Sequence, residues 1–220
     1  MIILINPLHE SISIKLVKAD LMINIDTIKT IFDNHGGIMR TSTLAASKIH
    51  YMDIQKLIHD GYIEKIRFGY YQWIYGKDIS EANIISKLFP ESVLCMNTAL
   101  FYYRYSDRTP LEWNIAVDKD SSKSRFHIDY PFVKPYFVEQ SLLELGMTIG
   151  QIDGYPVRIY DKERTICDCI RYAKKMDREI FNKAVQNYVN DSQKDIPKLI
   201  DYSKKLRVSK RVKDLIGVWL

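Results

Sequence analysis

Three groupings of residues have types and spacings that can do chemistry. The first is Cys167-Asp168-Cys169. One residue between the cysteines is the wrong spacing for a zinc knuckle, and no further His or Cys follows at metal-ligand distance. The pair reads as two small buried side chains, and no metal or cofactor is expected. The second is His127-Ile128-Asp129, which on a strand would put a base and an acid on one face. It has no nucleophile and no second motif beside it. The third is Arg164, Asp168, Arg171 and Lys175, at i, i+4, i+7 and i+11. On a helix these share one face, with Ile166, Ile170 and Ala173 on another. An acid between two arginines is either a self-paired, solvated ladder or a surface for an anionic partner, with Asp168 orienting the cations. Lys174 extends that surface, as do Lys204, Lys205, Arg207, Lys210, Arg211 and Lys213. No Gly-rich phosphate loop, carboxylate pair or triad occurs, which argues against an enzyme.

A fourth grouping could read duplex DNA. Met52, Gln55, Lys56 and His59 recur at i, i+3, i+4 and i+7, opposite an apolar stripe of Tyr51, Ile54, Leu57 and Ile58. In the major groove, Gln55 can pair bidentately with adenine and Lys56 can reach guanine or a phosphate. Arg40, Thr41 and Ser42 stand at a predicted helix start, where free N–H groups grip phosphate. Lys65 and Arg67 flank Ile66 and so share a strand face, with Tyr70 beside them. Asp53 lies near the same face but serves as a third-position helix cap.

The elements that must hold these residues are legible in part. The pattern predicts helices over Thr27–Asn34 (capped by Asp26), Thr43–Lys48 and Tyr51–Asp60, with Ile38-Met39 extended between the first two. Strands follow over Tyr62–Arg67 and Tyr70–Tyr75 around Phe68-Gly69, a hairpin signal. Helix, short strand, helix, turn, helix and hairpin make a winged helix-turn-helix. Beyond residue 76 the character changes. Ser80–Phe89 is amphipathic, Ser92–Tyr103 reads as a buried helix, and strands are expected over Trp113–Val117, Arg125–Tyr130 and Tyr155–Tyr160. From Arg164 the chain is helical, closing with Ile196–Leu206 and Ser209–Val218. The expected class is α+β, with an N-terminal winged helix-turn-helix (22–77) followed by a mixed α/β C-terminal domain (78–220) that ends in helices. Residues 1–21 show only a weak alternation at Ile12, Ile14 and Leu16, and Met22 reads as an alternative start.

Composition bounds the function classes. The chain has 220 residues, 46% hydrophobic and 27% charged, so it can bury a real core. Three cysteines make no disulfide framework and suit the cytoplasm. The longest uncharged stretch in mid-chain, Ser92–Tyr103, is too short to span a bilayer, and no signal peptide is evident. Net charge is +5. Residues 1–76 carry +1, residues 77–157 carry −3, and residues 158–220 carry +7, from 16 basic and 9 acidic side chains. The basic excess therefore sits in the C-terminal third, where an anionic partner is expected.

Four segments in this order resemble the AbiEi antitoxins of abortive-infection type IV toxin–antitoxin systems, across about residues 24–217. They are His35 to Ala45, Leu57 to Tyr71, the central Ala99-Leu100, Ser106–Pro110 and Trp113–Val117, and Tyr160-Asp161-Lys162-Glu163-Arg164-Thr165-Ile166-Cys167-Asp168 continuing through Ala184. The last is the specific one. The resemblance implies a winged helix that binds inverted repeats in its own promoter DNA and represses the operon. It also implies a C-terminal domain that opposes a nucleotidyltransferase-like toxin without a stable complex. The family's basic surface maps onto Arg164, Arg171, Lys174 and Lys175, and Asp168 is counted with this expected antitoxin surface as the residue that orients the arginines. The recognition helix here is less basic than is usual in that family. Two other readings stand beside it: a winged-helix regulator whose second domain senses a ligand or partner, and a nuclease built around His127 and Asp129.

Overall fold

The computed structural model describes residues 24–76 and 78–217. The expectations for residues 1–21 and for a helix end at Val218 lie outside them. The chain is mixed α+β and divides into two compact units, Met1–Ile79 and Ser80–Leu220.

In the first unit, α1 (Ile25–Asn34) buries Ile28 and Phe32. Its cap is Asn24, not Asp26: Asn24 Oδ1 accepts from the amides of Asp26 (3.0 Å) and Thr27 (3.4 Å). The helix starts two residues earlier than predicted, so Asp26 falls in the first turn, where a carboxylate favours the helix dipole. Then follow β1 (Ile38–Arg40), α2 (Thr41–Ala46), α3 (Tyr51–His59), β2 (Ile63–Arg67) and β3 (Tyr70–Trp73). The three strands form an antiparallel sheet in the order β1-β3-β2. Phe32, Leu44, Ile54, Leu57, Ile63 and Trp73 meet in one core between the sheet and the helices. Phe32 lies 5.5 Å from the Trp73 ring.

The second unit holds a five-stranded mixed sheet. Its elements run α4 (Glu81–Leu88), β4 (Val93–Leu94), α5 (Met96–Tyr102), β5 (Trp113–Asp118), a 3-10 turn (Lys123–Phe126), β6 (Val133–Val138), α6 (Gln140–Leu143), β7 (Met147–Ile152) and β8 (Tyr155–Tyr160). The spatial order is β6-β5-β4-β8-β7, with β5–β6 and β4–β8 parallel and the other pairs antiparallel. Helices α7 (Lys162–Tyr172), α8 (Arg178–Asn190), α9 (Ile196–Lys205) and α10 (Ser209–Ile216) close the chain.

Arg125–Tyr130 is not a strand. Phe126 turns inward between Phe89 (5.4 Å) and Phe137 (5.9 Å), and a single anchored ring with polar neighbours favours a turn over a ladder. The strand is instead Val133–Val138, whose Pro135 is tolerated at the edge of the sheet.

Helix α7 is the hub of this unit. Residues 163–170 are all buried, so the helix has no outward face along most of its length. Its apolar residues Ile166, Cys167, Cys169 and Ile170 pack with Leu199, Tyr188 and Val212 from the last three helices. Its polar residues are buried because each finds a partner.

Candidate functional site

Two surfaces and one cavity are candidates, and each belongs to a single unit. On the first unit, α3 is set by its buried side: Ile54 and Leu57 are 1% and 3% exposed. Asp53 Oδ2 accepts the His50 amide at 2.8 Å, fixing the helix start. Met52, Gln55, Lys56 and His59 all lie on the exposed side, as the spacing predicts. Tyr51 joins them in solvent and leaves the expected apolar stripe. As the first residue of the helix, it precedes the turn that Ile54 and Leu57 bury.

The hairpin beside α3 differs from expectation in three ways. A bulge between Lys65 and Arg67 breaks the alternation that predicts a shared face. Lys65 Nζ lies 5.5 Å from the Phe68 ring, while the Arg67 guanidinium lies 4.5 Å from the Tyr70 ring. Tyr70 itself is buried, with Arg40 over the same ring at 5.5 Å. It is a platform for two guanidiniums and not a contact residue. Thr41 is also committed: its amide donates to the Gly69 carbonyl at 2.9 Å and its hydroxyl to the same oxygen at 3.3 Å. That bond ties the hairpin tip to the start of α2, so this amide is not available to a phosphate. Gly69 takes φ +78°, a left-handed turn that glycine adopts without cost. Ser42 remains exposed one residue on. Phe68, which the sequence did not single out, stands at the tip 90% exposed; its only signal was an aromatic before a turn glycine.

On the second unit the predicted cationic ladder separates. Arg164 and Asp168 are buried and do not form a surface. Arg164 Nε donates to Asp168 Oδ2 at 2.9 Å, and Nη1 donates to the carbonyls of Leu142 (2.7 Å) and Leu145 (2.8 Å). The guanidinium carbon lies 4.1 Å from the Tyr160 ring centroid. Burial pushes the Asp168 carboxyl up, against the pull of Arg164. Gly146 allows this approach: a Cβ there would stand 2.6 Å from Arg164 Cβ.

The residues just before and beside Arg164 and Asp168 are equally occupied. Asp161 accepts from the Arg164 amide (2.8 Å), Lys198 (2.9 Å) and the Tyr202 hydroxyl (3.2 Å). Lys162 pairs with Asp191 at 2.7 Å. Glu163 accepts from the Asp195 amide at 2.9 Å and the Tyr188 hydroxyl at 3.4 Å. Thr165 donates to the Tyr160 carbonyl. The segment from Asp161 to Asp168 is thus the joint of this unit.

Arg171, Lys174 and Lys175 do reach solvent, and Arg211 joins them by donating to the Arg171 carbonyl at 3.3 Å. Lys204, Arg207, Lys210 and Lys213 are exposed on α9, α10 and the turn between them. Lys205 is paired with Asp201 at 2.8 Å.

His127 and Asp129 are exposed in the turn before Pro131. Without a strand, the alternation that would put them on one face is gone. Cys167 and Cys169 are buried on α7, and no group of three or more His, Cys, Asp or Glu able to hold a metal occurs among the described residues. Nor is any helix among them long and apolar enough to cross a membrane. The cavity, of about 730 Å³, lies between α5, the segment after it and the β7–β8 turn. No family model matches the chain, and no curated protein matches it.

Proposed function

We propose that this protein is a DNA-binding autorepressor and antitoxin of the AbiEi kind, without catalysis of its own. Its first unit acts as a winged helix-turn-helix. Helix α3 enters the major groove and the β2–β3 hairpin, the wing, lies along the adjacent backbone. The partner is double-stranded DNA carrying inverted repeats at its own operator.

The observation that carries this reading is the uncovered face of α3. Met52, Gln55, Lys56 and His59 share one solvent face of a helix whose opposite side is locked in the core. Gln55 and Lys56 are the base-edge and phosphate candidates. Arg40 and Arg67, held on the Tyr70 ring, and Lys65 supply backbone contacts.

The antitoxin part rests on the resemblance of the segment from Tyr160 to Ala184. Because Arg164 and Asp168 are buried, the surface that opposes the toxin is assigned to Arg171, Lys174 and Lys175. The cytoplasm is the compartment this requires.

The test is binding of the full chain to DNA from upstream of its own gene, over a salt series, together with co-expression beside the adjacent gene. Lys56→Ala should weaken operator binding, and the salt slope should fall by about one for each phosphate contact removed. Affinity that does not change with salt would refute the DNA reading. Rescue of poisoned cells should be lost on neutralising Arg171, Lys174 and Lys175 together. Undiminished rescue would refute the antitoxin surface.

A further inference from the structure

We infer that the cavity of the second unit is a binding site for a planar heteroaromatic ring with both donor and acceptor edges, the chemistry of a nucleobase. This rests on residues other than those assigned to DNA reading. Its walls are flat and apolar: Phe101, Tyr102 and Trp113, with Pro110 and Ile152. Phe101 remains 42% exposed although it belongs to a helix whose other side is core. Stacking of a base on such a ring is sequence-tolerant and favourable.

The polar groups narrow the class. Thr98 and Ser106 are 7% and 5% exposed, and both line the cavity. Thr98 Oγ1 accepts the Asn114 amide at 2.8 Å and Ser106 Oγ accepts the Arg108 amide at 3.2 Å. Tyr102 Oη accepts the Gln151 amide at 3.3 Å. A hydroxyl that already accepts still has one proton to give. None of the three has an acceptor among the described residues. The cavity therefore presents three O–H donors, two of them well buried.

It also presents acceptors. Asp107 and Glu112 are neutralised by Lys183 and Lys134. Among the described residues Glu81 is held only by neutral donors, Trp113 Nε1 and the Tyr130 hydroxyl, and Asp153 by the Ser80 hydroxyl. These two carboxylates keep lone pairs for N–H groups. Arg104 stands exposed at the rim.

Competing ligand classes fit less well. An apolar ring would leave the buried hydroxyls unpaired. A strong anion inside the cavity would face Glu81 and Asp153, so that a nucleotide's phosphate must lie outward at the rim beside Arg104, and an organic cation would meet the O–H donors. A neutral ring bearing carbonyl and N–H groups satisfies both sets.

The base can belong to a free mononucleotide or to an unstacked position in a single strand, and the experiment separates these. The full chain is titrated by calorimetry with the four ribonucleoside monophosphates, and in parallel with a short mixed-sequence single-stranded RNA. Saturable binding at about millimolar strength or tighter is expected for at least one nucleotide or for the strand. Phe101→Ala should weaken it about five- to a hundredfold, the range of one lost base stack. Arg104→Asn, which suits the left-handed backbone there, should weaken it too, and Lys56→Ala should leave it unchanged. Thr98→Val checks the buried donor, and thermal melting confirms that each variant folds. Binding by mononucleotides identifies a free ligand; binding by the strand alone identifies a strand. No saturation in either arm, or binding indifferent to Phe101→Ala and Arg104→Asn, overturns the inference. Either failure leaves the DNA reading untouched, since that is tested with operator DNA and Lys56.

Discussion

Arg164 and Asp168 face each other at 2.9 Å one turn apart on α7, and neither reaches solvent. The pair does not advertise a partner; it clamps α7 to the end of α6 and the loop after it through the Leu142 and Leu145 carbonyls. Removing one member leaves a buried charge alone, which costs about 3–5 kcal/mol. Asp168→Ala should therefore destabilise the second unit strongly. The double variant Arg164→Met with Asp168→Leu should recover much of that loss, since an apolar pair of similar size needs no counter-charge. Urea unfolding of the single and double variants reads both outcomes. Equal losses in the two would mean that the bonds to Leu142 and Leu145, and not the ion pair, carry the clamp.

Asp191 makes the second unit acid-sensitive. Burial works against its charged form, yet hydrogen bonds from Lys162, Tyr105 and the Gln193 amide hold its pKa down to about 2, below the ordinary value of 3.8. A carboxylate depressed on folding adds stability that is complete above its unfolded pKa. The contribution is lost as pH falls from there through about 2. Asp191→Asn should cost about 1–3 kcal/mol at neutral pH, because Lys162 and Tyr105 lose a half-buried charged partner. The gap between wild type and variant should close across that acid window. Thermal melts of both proteins over a pH series measure it, and a gap that widens on acidification would contradict the assignment.

The three cysteines should be silent in the native state. Cys95, Cys167 and Cys169 are all buried, and burial pushes the Cys167 thiol up to about 12. The other two are raised by the same cause. The thiolate is the reactive form, so alkylation by iodoacetamide at mildly alkaline pH should be slow for all three and rapid after denaturation. Mass spectrometry counts the adducts. Prompt single labelling of the folded chain would mean that one thiol is reached through local opening.

How far these features were legible depends on whether local pattern or distant packing decided them. The α3 face was readable because Ile54, Leu57 and the stop at Gly61 are local. The ion-pair spacing at Arg164 and Asp168 was also readable, but not its burial. An i, i+4 pair looks the same on a helix in solvent and on one enclosed by α8, α9 and α10. Strand β7 has no clear sequence signal, since Thr148, Gly150 and Gln151 weaken the alternation and its register is set by β8. The cavity was invisible for the same reason: Thr98, Ser106 and Gln151 are brought together only by the fold. The sequence places Tyr70 beside Lys65 and Arg67 because it opens the strand that pairs with theirs, but not that its ring is buried beneath Arg40 and Arg67.

That position of Tyr70 gives the sharpest test of the proposed wing. Its ring is 8% exposed, and two guanidiniums lie over it at 4.5 and 5.5 Å. Only the ring matters in this arrangement. Tyr70→Phe should keep both stability, within about 0.5 kcal/mol, and operator affinity. Tyr70→Leu fills the core but removes the aromatic face, losing about 0.5–1 kcal/mol for each cation it supports. Without the ring beneath it, Arg40 would have to be ordered at the moment of binding, so affinity should fall several-fold, most visibly at low salt. Operator titrations of the two variants beside Lys56→Ala decide the matter. If Tyr70→Phe loses as much affinity as Lys56→Ala, the phenol hydroxyl itself meets DNA and the platform role is wrong.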